Sequence, residues 1–465
     1  MDRAFTEAQD DRFETYVASL CEVIGHADRE QPLHDYCVGL LLPADRKSVE
    51  PMAALTAPGR TSQQHQILLH FVANAAWSDE ALLARVREIA LPALERHGPI
   101  EAWIIDDTGF PKKGKHSVGV ARQYCGQLGK QDNCQVVVSL SAANHDASLP
   151  LAHRLYLPEA WTSDPERRAK AKVPDDIGFR TKPEIALELL RAASASTVPQ
   201  GVVLADPAYG NDGGFRAGIT ALGLTYAVGI QSNTLLWRPD LTPPPRKGKR
   251  RYSHARIRPF QASAKELALS LPGEAWHEIT WRIGTEPLRS RFARLRVSPA
   301  GRVEPPPEEW LLIEWPEGEP EPIKYWLSTL PEDTSFEHLV DVTKLRWRIE
   351  RDYQELKQEF GLGQYEGRGW RGLHHHITLC VAVYGFLIAE RAAIPPSRAG
   401  GCARPKAPVV SDHHRPGSTS RANRATCRTL DPDNASTPRG GARPTSGPMS
   451  VLSAAPRPQG GAWSR

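Results

Sequence analysis

The most regular hydrophobic pattern in the chain lies between residues 339 and 360. Apolar side chains recur there at steps of three and four residues, which is the period of an amphipathic helix. The apolar positions are Leu339, Val342, Leu345, Ile349, Tyr353, Leu356 and Phe360. We therefore predict one helix through this segment. Gly361 and Gly363 follow its last apolar residue, and glycine is common at the end of a helix.

The polar side of this predicted helix carries one carboxylate at the border of the apolar stripe. At about 100° per residue, Arg346, Glu350 and Lys357 lie within roughly 40° of one another. Glu355 and Glu359 are predicted to point toward solvent. An exposed ion pair between residues four apart would give the same pattern, so the helix alone does not decide between a structural and a chemical role for Glu350.

Two short apolar runs upstream each end in an acid. Residues 103–105 precede Asp106, and residues 201–205 precede Asp206. Runs of this length suit strands buried on both faces, and in open α/β sheets the chemistry collects beyond the carboxyl ends of such strands. An acid at a strand end is also a common turn residue or helix cap. With Glu350, these aspartates are candidate ligands for a divalent metal.

Asp106 and Asp107 are alternatives for the first ligand. Side chains alternate across a strand, so only one of the two faces the metal. Asp106 directly follows the apolar run, and we predict that it is the ligand. The second motif has no such ambiguity, because Pro207 follows Asp206 and ends the strand.

The patterns divide the chain into five segments. Residues 1–97 have helical periodicity, residues 98–230 alternate apolar runs with helical patterns, and residues 231–322 are rich in strand-like runs. Residues 323–392 contain a last strand and the helix described above. Residues 393–465 are rich in Pro, Gly and Arg without periodicity, which predicts disorder. We interpret this last segment as a frameshifted or fused end.

The same patterns locate individual elements in an α/β protein. We predict strands at residues 102–106, 117–121, 135–141, 151–157, 202–206, 225–230, 276–283, 292–297, 310–315 and 325–330. We predict further helices at residues 13–24, 33–42, 61–75, 79–97, 183–193, 213–222 and 377–389.

Composition excludes several classes of protein. No run approaches the roughly 18 apolar residues of a membrane helix, and the N-terminus lacks the layout of a signal peptide. The seven cysteines are scattered, which argues against a structural zinc site and suits a reducing cytoplasm. The net charge is +4, but residues 391–465 hold twelve Lys or Arg and three Asp, so the first 390 residues carry −5. Contact with nucleic acid must therefore use local basic patches.

Three motifs together resemble those of DDE-type insertion-sequence transposases. They are Ile105-Asp-Asp-Thr108, Leu204-Ala-Asp-Pro-Ala-Tyr209 and Arg346-x3-Glu350-x6-Lys357. The last is similar to the Tyr-x2-Arg-x3-Glu-x6-Lys signature of that family, with Thr343 at the position of the tyrosine. The resemblance covers residues 1–390.

The resemblance implies a fold, a reaction and partners. The fold is a ribonuclease-H-like catalytic core with a helical N-terminal DNA-binding domain and a β-rich insertion. Asp106, Asp206 and Glu350 are implied to hold two Mg²⁺ ions, for which Mn²⁺ can substitute, with Asp106 bridging them. Arg346 and Lys357 are implied to hold DNA phosphates. The reaction is cleavage and strand transfer at the element's terminal repeats. It is carried out on double-stranded DNA by a homodimer, in the bacterial cytoplasm at the nucleoid, without a membrane.

Several other features have two interpretations. The basic residues Lys112, Lys113, Lys115 and His116 form either a phosphate-binding loop or a solvated loop. The basic run at residues 242–251 is either a phosphate-binding segment or a linker. Tryptophans in the segment 231–322 either stack on a displaced base or belong to the core. The helices of residues 1–97 either bind DNA or serve packing or dimerisation. Residues 374–376 are adjacent histidines that do not share one helix face, so they are not predicted to bind one metal ion.

Three other functions remain compatible with the motifs. One is a DNA-binding regulatory relative that no longer cleaves, and another is a ribonuclease-H-like nuclease without transfer activity. The third is a metal-dependent phosphatase or other α/β hydrolase, which the basic, Trp-bearing insertion disfavours.

Overall fold

The structure, a computed structural model, describes residues 3–242, 257–282, 287–300 and 307–393. The predicted disordered tail lies outside the described residues except for Ala393, and so does the basic run from residue 243 onward.

One mixed sheet organises the described part of the chain. Its strands are β1 Ala102–Pro111, β2 Ala121–Cys125, β3 Lys130–Ala143, β4 Ser148–Leu155, β5 Val202–Ala205, β6 Tyr226–Ile230, β7 Leu235–Trp237, β8 Gln261–Ser263, β9 His277–Arg282, β10 Leu288–Pro299, β11 Glu309–Trp315 and β12 Lys324–Ser328. The order across the sheet is β2-β3-β1-β5-β6-β12-β11-β10-β7-β8, with β4 beside β3 and β9 beside β10. β1, β5 and β6 run parallel to one another. The predicted α/β class is therefore confirmed.

Most predicted strands are present within a few residues of their predicted bounds. The prediction at 117–121 is wrong, because Gly119 has a φ of +70° and a turn closes from the Val120 N–H to the Ser117 carbonyl at 3.1 Å. The strand begins only at Ala121. β7 and β8 were not predicted, and each is three residues long.

The strands of the predicted insertion continue the same sheet. β12 pairs with β6 of the first core segment, and β11, β10, β7 and β8 follow it outward. The sheet therefore runs without a break from the segment with Asp106 into the segment with the tryptophans. Trp237 and Trp310 are buried there, as expected for core residues. The segment boundaries remain predictions.

Helices cover both faces of the sheet and form a bundle beside it. The described α-helices are α1 Arg3–Cys21, α2 Glu30–Leu41, α3 Val49–Thr56, α4 Thr61–Ala73, α5 Asp79–Glu95, α6 Glu159–Thr162, α7 Pro165–Ala171, α8 Lys182–Ser194, α9 Pro207–Gly210, α10 Gly213–Ala221, α11 Ala264–Ser270, α12 Phe336–Lys344, α13 Trp347–Gln358 and α14 Trp370–Ala393. α3 is absent from the predicted helices, and Pro51 is its third residue. Proline is tolerated in the first helical turn, where the N–H groups have no intrahelical partner.

The last helix, α14, is the centre of the helical bundle. It packs against α2, α4 and α5 and against β4, and the Tyr16 hydroxyl of α1 donates to the Ala382 carbonyl at 2.7 Å. By length and composition α14 is apolar enough to cross a membrane, but 89% of its most apolar window is buried inside the protein. That burial is typical of a core helix in a soluble protein.

The predicted single helix over residues 339–360 is wrong, because the chain forms two helices there. α12 ends at Lys344 and α13 begins at Trp347. Between them the hydrogen bonds span three residues, from the Leu345 N–H to the Val342 carbonyl and from the Arg348 N–H to the Leu345 carbonyl, both at 3.0 Å. Arg346 keeps helical dihedrals, so the apolar stripe continues through the turn. Gly361, with a φ of +62°, lies in the left-handed conformation just beyond α13, as predicted for its C-terminus.

A buried ion pair joins α12 to the far part of the sheet. The Lys344 ammonium lies 3.0 Å from the Glu314 carboxylate of β11, and the side chains are only 8% and 5% exposed. The same ammonium lies 4.0 Å from the ring centroid of Trp281. A buried charge is costly without its partner, so this pair fixes the position of α12 against β11.

We expect Glu314→Gln to lower the free energy of unfolding by about 3–5 kcal/mol, because it removes the carboxylate from a buried ammonium. Replacing both partners, with Glu314→Leu and Lys344→Met, should cost much less. Urea unfolding of the intact chain measures both. The control is Glu321→Gln. Glu321 pairs with Lys265 at the surface, where the two side chains are 46% and 39% exposed. This substitution should change the free energy of unfolding by less than about 1 kcal/mol. Equal costs for Glu314→Gln and Glu321→Gln would contradict the assignment.

Candidate active site

Asp106 lies in the middle of β1 and not at its end, which corrects the prediction. β1 pairs with β3 along its whole length, through Asp106 opposite Ser139 to Pro111 opposite Cys134. Its parallel pairing with β5 stops at Ile104 opposite Leu204. The apolar run ends at Asp106, but the antiparallel neighbour keeps the strand extended. Beyond Ile104 the β5 side of β1 is therefore without a strand partner, and Asp206 follows β5 at the same level.

Asp106 and Asp107 face opposite sides of the sheet. Ile104, two residues before Asp106, packs with Leu345 and Ile349 of the helical segment that carries Glu350. Because side chains alternate along a strand, Asp106 is on that side as well. Asp107 is on the other side, where its carboxylate lies 2.8 Å from the Lys182 ammonium of α8.

Arg346 connects two of the three predicted acids. One guanidinium nitrogen donates to Asp106 Oδ2 at 3.1 Å, and the other donates to Glu350 Oε1 at 2.7 Å. Arg346 is the N-cap of α13, so Glu350 lies one helical turn further on and both side chains reach the same point above β1. The side chain of Asp106 is 20% exposed and that of Glu350 is 41% exposed. The site is thus closed toward the sheet and open toward solvent.

Burial raises the pKa of Asp106 to about 7. The Arg346 guanidinium opposes the shift, while the nearby carboxylates of Asp206 and Asp107 increase it. A carboxyl group in this position favours a second positive charge, because removing it from water penalises the negative form and neighbouring negative charges add to the penalty.

Asp206 has a structural contact in addition to its position near Asp106. It is the N-cap of α9, and its Oδ1 accepts hydrogen bonds from the Ala208 N–H at 2.9 Å and the Tyr209 N–H at 3.4 Å. α9 packs directly on β6, where a Cβ added at Gly210 would lie 2.0 Å from the Gly229 carbonyl oxygen. The helix cap that the sequence offered as an alternative is therefore present, and it orients the carboxylate next to β1.

Lys357 lies two turns after Glu350 on α13, on the side that faces the aspartates. Burial lowers the pKa of Lys357, and Cys125, Asp106 and Asp107 are close enough to oppose that shift. Its ammonium has no hydrogen-bond acceptor among the described residues. Lys357 therefore presents a cation near the carboxylates without being bound by one of them.

The donor set fits a divalent cation. Mg²⁺ prefers oxygen ligands from one or more carboxylates, and carboxylate oxygens are what Asp106, Asp206 and Glu350 provide. Burial, helped by the nearby Asp206 and Asp107 carboxylates, raises the pKa of Asp106 despite Arg346, so a further cation beside Asp106 would stabilise its charged form. The structure places Arg346 in contact with Asp106 and Glu350 and close to Asp206, with Lys357 near Asp106. The ligand-type oxygens of Asp106, Asp206 and Glu350 are not all within 4.8 Å of one another. Whether the acids bind metal remains a prediction.

Two acids of α13 have roles that the sequence did not reveal. Asp352 is 4% exposed and accepts hydrogen bonds from the Ser148 and Tyr384 hydroxyls, and burial raises its pKa to about 7. Glu355 was predicted to point toward solvent, which is wrong. Its side chain is 19% exposed and pairs with Arg351 at 3.3 Å and with Arg391 of α14 at 2.8 Å. Both acids hold α13 against neighbouring elements, β4 and α14 for Asp352 and α14 for Glu355. A helical wheel shows only the apolar and polar sides of α13 and does not show these neighbours.

The neighbouring polar residues are also satisfied by the fold. Thr343, at the position of the family's tyrosine, donates to the Leu339 carbonyl at 2.6 Å within α12. Tyr353 of α13 donates to Ser139 of β3, the residue opposite Asp106. His375 and His376 bond to Trp77, Val72, Gly361 and Tyr36 of the helical bundle.

A second group of charged side chains lies at the other end of β1. Glu101, His145 and Asp341 have their ligand-type atoms within 4.8 Å of one another, and no other group of at least three is found in the described ranges. His145 Nε2 lies 3.2 Å from Glu101 and 2.9 Å from Asp341 of α12. Asp106 is five residues further along β1, about 17 Å at roughly 3.3 Å per residue. This group is therefore separate from the candidate site, and it ties α12 to the start of β1.

Two comparisons with known proteins identify relatives. Residues 19–288 match the family model described as "DDE superfamily endonuclease". Over 258 residues the chain is 30% identical to a "Probable transposase for insertion sequence element IS701" from Microchaete diplosiphon. That alignment covers 54% of this chain and 61% of the relative, so the chain spans less than two thirds of the relative's length.

We expect the contribution of His145 to stability to depend on pH. Hydrogen bonds to Asp341 and Glu101 raise the pKa of His145 from 6.5 to about 9. When folding raises the pKa of a group, the group stabilises the folded state fully at pH values below its pKa in the unfolded chain. This stabilisation is lost as the pH rises through its pKa in the folded protein. His145→Gln should therefore destabilise the protein most below pH 6.5 and little above pH 9. Thermal unfolding from pH 6 to 9.5 measures the difference, with the exposed His338→Gln of α12 as control. A His145→Gln penalty that does not change with pH would contradict it.

Proposed function

Because the chain belongs to the DDE superfamily endonucleases, we propose that it is an insertion-sequence transposase. In this proposal it cleaves the ends of its element and joins them to target DNA, with Asp106, Asp206 and Glu350 as metal ligands. The observation that carries the proposal is the contact of Arg346 with both Asp106 and Glu350 beside Asp206. A helix residue and a strand residue 244 positions apart in the chain thereby share one charged site.

The metal set proposed for this site is two Mg²⁺ ions, for which Mn²⁺ can substitute. Such ions supply Lewis-acid stabilisation of the charge on the attacking and leaving oxygens of a phosphodiester. The family resemblance implies that Asp106 would hold both ions, with Asp206 and Glu350 holding one each. The residues of the chain hold these carboxylates in position: β3 keeps β1 extended at Asp106, and the α9 cap fixes Asp206.

Arg346 and Lys357 are proposed to bind the DNA phosphates at the scissile bond. The planar guanidinium of Arg346 can bind either a carboxylate or a phosphate with two parallel hydrogen bonds, so it can exchange one for the other while it stays charged. Lys357 already presents its ammonium on the side of the acids. Cleavage of a DNA strand leaves the 3′ oxygen as the leaving or attacking group, and a fixed cation beside it stabilises the developing negative charge.

The remaining features of the proposal follow the family resemblance. They are a ribonuclease-H-like arrangement of the core, double-stranded DNA as substrate, and a homodimer assembled on that DNA in the bacterial cytoplasm, at the nucleoid. The helices of residues 1–97 are proposed to contact the element's terminal repeats. Joining of cleaved 3′ ends to a target plasmid separates this proposal from a nuclease of the same family that does not transfer strands.

We expect Glu350→Gln to keep DNA binding and to lower metal-dependent nicking by more than about 100-fold, because loss of a ligand should exceed the effect of losing its supporting partners. The substrate is a duplex carrying the sequences that flank the protein's own gene, and the assay is nicking in Mg²⁺ or Mn²⁺. Glu359→Gln near the end of the same helix, which is exposed, is the matched control. Nicking by Glu350→Gln at the rate of the control would refute the assignment.

Asp106 and Asp107 offer a sharper comparison, because they are neighbours on opposite faces of β1. Asp106→Asn should abolish nicking, since it removes a proposed ligand. Asp107→Asn should break the half-buried pair with Lys182, lower stability slightly and keep most of the nicking rate. The two variants are compared in the same nicking assay after their stability has been measured. Loss of nicking in Asp107→Asn with activity retained in Asp106→Asn would reverse the assignment.

A further inference from the structure

A basic surface lies where β1 ends, next to the candidate site but outside it. Two adjoining cavities of about 490 Å³ and 520 Å³ open there and share His116 as a lining residue. We call this surface the basic groove and define it by residues from four parts of the chain: Arg46, Lys113, Lys115, His116, Lys170 and Arg368.

The basic groove is positive in a protein whose first 390 residues are negative. Seven Lys or Arg and three Asp or Glu line the two cavities, so their net charge is +4, whereas residues 1–390 carry −5. The three acids already have partners: Glu366 pairs with Arg46, Glu166 lies 3.9 Å from Lys170, and Asp164 caps α7. The positive charge of the groove is thus local, which is the condition under which an acidic protein attracts a polyanion.

The loop that carries Lys112, Lys113 and Lys115 is held in place by hydrogen bonds at both its side chains and its backbone. The Lys112 ammonium donates to the Tyr365 carbonyl at 2.7 Å, and the Asn133 side chain donates to the Gly114 carbonyl at 2.9 Å. Arg167 of α7 donates to the Lys115 carbonyl at 2.8 Å while stacking 3.8 Å from the centre of the Trp161 ring. The loop is therefore positioned before any ligand arrives, which lowers the cost of binding.

The charged ends of this loop remain available. Lys113, Lys115, His116 and Arg368 are exposed, and their side chains have no acceptor among the described residues. A structural role would bring such cations to carboxylates or carbonyls of the fold, as it does for Lys112 and Arg167. Unpaired, pre-positioned cations in a concave surface are what phosphate groups bind.

The basic groove lies about five residues along β1 from the candidate site. Pro111, which lines the first cavity, is five residues beyond Asp106 on the same strand, about 17 Å at roughly 3.3 Å per residue. Duplex DNA advances about 3.4 Å per base pair, so this distance corresponds to about five base pairs. The other wall, residues 363–368, follows directly from the helix with Glu350 and Lys357.

We propose that the basic groove binds the backbone phosphates of duplex DNA about five base pairs from the bond held at Asp106. This inference rests on the proposed function for the location of the scissile bond. Contacts of this kind do not read sequence, but they set the register of the duplex on the protein.

The test uses one variant of the full chain that combines Lys113→Gln and Arg368→Gln, and compares it with a matched control variant. The control combines Arg191→Gln and Lys324→Gln, two exposed cations outside the groove, and changes the net charge equally. The probe is a fluorescent 40-base-pair duplex of random sequence, titrated at several salt concentrations. Loss of two phosphate contacts should reduce the slope of log K against log salt by about two, and should weaken binding by at least tenfold at low salt. The control should keep the slope of the unchanged protein.

Shortened duplexes and a cleavage assay complete the test. Affinity for duplexes cut to fewer than five base pairs on one side of a preformed nick should no longer differ between the groove variant and the unchanged protein. Nicking of supercoiled plasmid at subsaturating concentration in Mn²⁺ should fall with the lost affinity in the groove variant and should stay at the unchanged rate in the control variant. Equal slopes and affinities for the groove variant and the control overturn the inference even if the protein nicks DNA. A groove-dependent slope in a protein that never nicks DNA overturns the proposed function; the phosphate contact of the groove then stands, without its distance from a scissile bond.

Discussion

The bond between Arg346 and two carboxylates sets the electrostatics of the candidate active site. Burial alone makes the charged form of Asp106 costly, and the carboxylates of Asp206 and Asp107 increase that cost. The guanidinium offsets part of it, because it is always charged and can bond Asp106 and Glu350 at the same time. The same oxygens that bind Arg346 are those that suit a divalent ion. A metal ion bound there would therefore share these oxygens with Arg346 or replace Arg346 at them.

Two backbone features make this contact possible. β1 remains paired with β3 beyond Asp106 but leaves β5 after Ile104, which opens one side of the strand at the level of Asp206. The tightened turn between α12 and α13 places Arg346 at the start of the helix that carries Glu350. α12 is in turn fixed by the buried pair of Lys344 with Glu314 and by the group around His145. The basic groove begins where β1 and α13 end, so the elements that position the acids also position the cations of the groove.

Hydrophobic periodicity predicted most of this fold, because buried strands and amphipathic helices each impose their own spacing. It identified the apolar runs before Asp106 and Asp206 and the stripe that carries Glu350. It could not detect the break after Lys344, since a turn with helical dihedrals preserves the stripe. It placed Asp106 at a strand end, because a pattern of side chains does not show that β3 continues to pair. Asp352 and Glu355 were missed for a related reason: their partners are on β4 and on α14, and contacts between distant segments leave no local signal. The acids themselves were found through motif spacing and family resemblance, which periodicity does not supply.

The central claim is that Asp106, Asp206 and Glu350 form one site for divalent metal. Anomalous X-ray diffraction from crystals of the full chain grown with Mn²⁺ tests it most directly, because the signal locates the ion without assuming its ligands. The account predicts Mn²⁺ in contact with carboxylate oxygens of all three residues, with Arg346 turned away from at least one of them. Mn²⁺ bound only beside Glu101, His145 and Asp341, with the three proposed acids free of metal, would contradict it.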